Sequence, residues 1–168
     1  LELETYRLMA LRGLPAAKSL GGTLAEVEAT LASITARLER RGASEAELLD
    51  DLISTAARVE HATAEHQYRF AATQAYHAIV AARIEELHEG KVAGTQTLGE
   101  FMQRRLSPAI ATVNATAQRL AGLSQRISRA SALLRTRVDI ATEAQKQQLL
   151  AQLSDGQRTQ LRMQATVE

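Results

Sequence analysis

The chain has 168 residues, 23% of them charged and only 3% aromatic, with no cysteine, no tryptophan and a net charge of +1. Without cysteine it has no disulfide, no thiolate metal site and no cysteine nucleophile, which fits a reducing compartment. Ala, Leu, Gln, Arg and Glu dominate, no run of alternating apolar residues occurs, and no apolar stretch approaches the roughly 20 residues that span a bilayer, so neither strands nor a membrane helix are expected within these residues.

A first helix is expected over about residues 2–20, where Leu3, Tyr6, Leu8, Met9, Leu11 and Leu14 recur at helical spacing. Pro15 removes a backbone donor and predicts a kink or break near Gly13–Leu14. Gly21–Gly22 are expected to close this piece. Thr23 and Glu26 then have the spacing of a capping box and open a second helix over about 23–41. Its Leu24, Val27, Leu31, Ile34 and Leu38 form one stripe. Arg40–Arg41 complement the negative helix end and Gly42 stops it.

Ser44 and Glu47 make a second capping box, opening a third helix over 45–89 that would be roughly 65–70 Å long. Its seam runs Leu52, Ala56, Val59, Thr63, His66, Phe70, Thr73, His77, Val80, Ile84, Leu87, the three-four spacing of a coiled-coil face. The turn EGKVAGTQ, bracketed by Gly90 and Gly94, leads to a third capping box at Thr97 and Glu100. A fourth helix follows over 98–153 and on to 166, with Leu106, Ile110, Val113, Ala117, Leu120, Ser124, Ile127, Ser131, Leu134, Val138, Ala141 and Gln145 as its seam. Ser107–Pro108 either restarts this helix as a cap and first-turn proline or is passed with a bend.

These elements predict an all-α fold: an elongated antiparallel bundle, a coiled-coil hairpin of two long helices, with two shorter N-terminal helices packed at its open end near 133–153. The whole of 1–168 is read as one helical stalk domain. Because the chain starts and stops inside helical patterns, it is expected to be a fragment of a longer protein. Charge is uneven: residues 1–102 carry net −5 and residues 103–168 net +6. Acidic helix three is therefore expected to face basic helix four.

Candidate sites are few. His66, His77 and His88 recur every 11 residues, roughly 16 Å of helix rise, which is too far apart for one metal. His66 and His77 are seam positions and candidates for pH-sensitive packing. Glu85 and His88 make a single Glu-x-x-His pair, and His61 with Glu65 stands equally alone, so no metal site and no cofactor are expected. Tyr68 and Tyr76 are read as packing residues near the seam. Arg119, Arg126, Arg129, Arg135 and Arg137 form the basic face of helix four, anion-facing or ion-pairing. Without interleaved aromatics they are not expected to bind nucleic acid. No phosphate loop, nucleophile elbow or triad order is present, so the chain is not expected to be an enzyme, and no small-molecule substrate is indicated.

The strings ETYRLMALRGLP, YRFAATQAYHAIVAARIEELHE, QTLGEFMQRRLSPAIATVNATAQRL, LLRTRVDIATEAQKQQLL and LRMQATVE carry a resemblance that runs from Leu3 to the end. The chain resembles a bacterial family of predicted membrane-anchored proteins, domain of unknown function 3422. Gly156 departs from what an uninterrupted helix would carry. The resemblance implies an N-terminal domain before Leu1, one or two membrane helices after Glu168, and the cytoplasmic side of the bacterial inner membrane. The expected role is a self-associating helical stalk or scaffold, reaching the membrane through segments outside this chain. Its layout is similar to that of CorA-type magnesium channels, so the stalk of an ion channel or transporter is an alternative. Binding of anionic lipid or nucleic acid by the basic helix is another.

Overall fold

The computed structural model describes the backbone of residues 2–40 and 44–165, and side chains as far as residue 158. Among these residues there are four α-helices and no strand: α1 (Glu2–Leu11), α2 (Gly13–Glu39), α3 (Glu45–Glu86) and α4 (Leu98–Ala165). The all-α class read from composition is the class adopted.

Only Arg12, itself near-helical at φ −64° and ψ −18°, separates α1 from α2. Pro15 explains the break, because it has no N–H to give to the carbonyl of Leu11 four residues earlier. The boundary expected at Gly21–Gly22 is not there. α2 runs through both glycines, and Thr23 is an interior residue instead of a cap. The stripe Ala17, Leu20, Leu24, Val27, Leu31, Ile34 is buried without interruption across them. Its burial outweighs the roughly 1 kcal/mol that each glycine costs a helix interior. The second helix was expected to reach 41 but ends at Glu39; Arg41 and the Gly42 stop lie outside the described residues, as do Leu1 and 166–168.

Cross-rod pairs fix the arrangement. Glu2 stands 3.6 Å from Arg83, Glu26 2.9 Å from Arg58, and Arg37 2.5 Å from Asp51. The rod made of α1 and α2 is therefore antiparallel to α3 along its whole length. Gln74 bonds Asn114 at 3.1 Å and Arg137 lies 3.8 Å from Glu45, so α3 is antiparallel to α4. The expectation that the N-terminal helices pack at the open end of the hairpin is corrected. α1 sits at the closed end, where Ala10 is buried with Val80, Leu106 and Ile110. Only the end of α2 reaches the open end. Once α2 passes its glycines, α1 and α2 make a rod almost as long as α3, and it buries its stripe only by lying along the full hairpin. The result is a three-rod bundle.

The main core joins Leu24, Val27, Leu31 and Ile34 of α2 to Leu48, Leu52, Val59 and Phe70 of α3 and to Leu120, Leu123, Ile127 and Leu134 of α4. Thr116, Leu123 and Ala130 are buried in addition to the expected seam of α4. A helix that touches two rods needs a wider apolar stripe than one facing a single partner. α4 also passes through Pro108 and Gly156 as one helix of 68 residues. Restarting at Ser107–Pro108 is thus overturned. Leu106, Ala109 and Ile110 are buried on both sides of the proline, and continuity of that stripe offsets one lost backbone bond.

Two expected caps form. Ser44 Oγ accepts from the Glu47 amide at 3.4 Å. Thr97 Oγ1 accepts from the Glu100 amide at 3.1 Å while the Glu100 carboxylate accepts from the Thr97 amide at 3.4 Å. A third group was not anticipated: the Glu89 carboxylate accepts from the amides of Leu98 and Gly99, both at 2.8 Å. The first-turn donors of α4 are thereby satisfied across the turn. α3, expected to reach 89, ends at Glu86, and His88 takes a left-handed φ of 47° that turns the chain away from the helix axis.

Candidate functional site

The two seam histidines are delivered to different clefts. His66 lines a cleft of ≈ 310 Å³ between α2 and α3, with Ser19, Thr23, Arg58, His61 and Glu65. Its ring stacks on Phe70 with centroids 5.8 Å apart. Its Nε2 lies 3.8 Å from Glu65 Oε2, and the exposed His61 places its own Nε2 3.9 Å from the same oxygen. Nδ1 of His66 is buried with no hydrogen-bond partner. His77 is half-buried in a cleft of ≈ 410 Å³ between α3 and α4, beside Val80, Ile84, Glu85, Met102 and Leu106. His88 stands beyond the end of α3, so Glu85 and His88 do not share a helix face. Among the described residues no three His, Asp or Glu side chains are arranged to hold a metal.

The arginines of α4 divide by what lies beside them. Arg119 grips Glu28 of α2 with two hydrogen bonds, Nε to Oε1 at 3.0 Å and Nη2 to Oε2 at 2.9 Å. These bonds, reinforced by the charges of Arg119 and Arg126, hold the Glu28 carboxyl below its usual range against a smaller opposing effect of burial. Arg137 donates to the carbonyl of Leu38 at 3.0 Å and stands 3.8 Å from Glu45, tying the ends of α2 and α3 to α4. Arg129 and Arg135 are exposed and have no ion pair among the described residues. Among the described residues, the expected facing of acidic helix three and basic helix four is therefore confined to Glu45 and Arg137. α2 intervenes and takes Arg119, while Asp51 and Glu47 of α3 are taken by Arg37 of α2. Tyr76 packs as read, its ring 6.1 Å from that of Tyr6. Tyr68 does not: it is 77% exposed, since it lies between seam positions 66 and 70 on the opposite side of the helix.

A third opening, ≈ 470 Å³, runs between α3 and α4 over Phe70 and Leu120, floored by Ala71, Ala117 and Ala121. In the cleft that holds His61 and His66, Ser19 Oγ donates to the carbonyl of Ala16 at 2.9 Å instead of to a histidine. The feature that packing within the chain does not account for lies elsewhere. Among the described residues the last buried one of α4 is Leu134, and every residue from Val138 to Arg158 is exposed. Ile140, Leu149, Leu150 and Leu153 are each more than half exposed on that segment.

Fold and surface thus define an all-helical three-rod bundle from which one helix projects. The chain belongs to the family described as Protein of unknown function (DUF3422), whose family model matches residues 1–168. Neither a search of curated proteins nor one of solved structures finds a match. Among the described residues no helix is long and apolar enough to cross a membrane.

Proposed function

We propose that this chain is the helical stalk of a bacterial membrane-anchored protein, a non-enzymatic spacer and scaffold that self-associates. One observation carries the reading. α4 has 68 residues, about 100 Å of helix, whereas its partners support it only as far as Arg137. A helix that leaves its own bundle either bridges a distance or meets another chain. The resemblance stated above supports the membrane setting, on the cytoplasmic side, through segments outside these residues. Small-angle X-ray scattering combined with light scattering tests the reading: an elongated particle with a longest dimension near 100 Å and a mass above that of one chain is expected. A compact monomer would remove it.

A second reading has one observation in its favour. Arg129 and Arg135 are exposed without ion pairs among the described residues and would serve an anionic lipid surface. Flotation with anionic vesicles at low salt tests it, and absence of co-flotation removes it.

A further inference from the structure

We draw no further inference here: the strongest candidate, the length of α4 from Val138 to Arg158 that projects past the ends of α2 and α3, is exposed throughout, and nothing in the structure shows what covers it.

Discussion

Gly13→Ala adds one methyl group and is expected to destabilise the bundle, although it replaces glycine by the best helix former. A Cβ at Gly13 would fall well inside contact distance of Thr73 Oγ1, and 3.2 Å from Thr73 Cβ and 3.4 Å from Val113 Cγ2. Thr73 is fully buried and has nowhere to retreat. Its χ1 is stiff, so the hydroxyl and the γ-methyl must rotate together within a fully buried site. Overpacking of this kind costs about 1–3 kcal/mol, against a propensity gain of about 1 kcal/mol, so a net loss of up to about 2 kcal/mol is expected. Thr73 also differs from its neighbours: Thr55 and Thr63 return their hydroxyls to carbonyls four residues back, at 2.7 and 2.8 Å, whereas Thr73 Oγ1 has no such partner. It occupies the space a Cβ on Gly13 would need, a close approach that only glycine permits. Urea unfolding followed by circular dichroism measures the loss. Thr73→Ala should rescue Gly13→Ala with a coupling of about 1 kcal/mol or more, and Thr73→Ser, which keeps the oxygen, should not. Equal stability of Gly13→Ala and wild type, or additivity with Thr73→Ala, would refute the reasoning.

Gly21→Ala and Gly22→Ala are the counterpart: a Cβ at either meets nothing within 4 Å, so each should raise stability by about 0.5–1 kcal/mol in the same assay. Glu89→Ala leaves the Leu98 and Gly99 amides without their acceptor and should cost about 1 kcal/mol, with hydrogen exchange accelerated first at the start of α4. Because the Arg119 hydrogen bonds depress the Glu28 carboxyl, the stability they bring is present above the ordinary carboxylate range and is lost as pH falls through the lowered value. Glu28→Gln should therefore flatten the acid side of the stability profile in a pH series of melting temperatures, and an unchanged acid limb would contradict the assignment.

Much of the fold was legible because its signals are local. The stripe Leu24, Val27, Leu31, Ile34, the caps at Ser44 and Thr97, and the seam from Leu52 to Val80 depend only on spacing along one helix. What was missed depends on contacts between distant residues. Gly21–Gly22 are helix breakers by propensity, yet buried flanking residues on two other rods hold them helical. The place of α1 follows from that continuity and from nothing in α1 itself. Glu89 lies outside any four-residue capping pattern and reaches α4 only because the turn folds back. Of the arginines of α4 read as anion-facing or ion-pairing, Arg119 and Arg137 have carboxylates beside them while Arg129 and Arg135 have no ion pair among the described residues, and Arg119 found its partner on α2, a rod whose position could not be read from charge totals. The exposure of the projecting segment became evident only once the ends of α2 and α3 were placed.

The unequal support of α4 also gives the molecule a mechanical character. A pull along the helix axis loads every buried layer from Met102 to Leu134 in shear at once. A sideways push on the far end acts instead through a lever of about 30 residues, roughly 45 Å, whose fulcrum is the last layer at Leu134 and the Arg137 clasp on Leu38 and Glu45. The bundle is therefore stiff in tension and compliant in bending, and the joint at Arg137 is where bending would be felt.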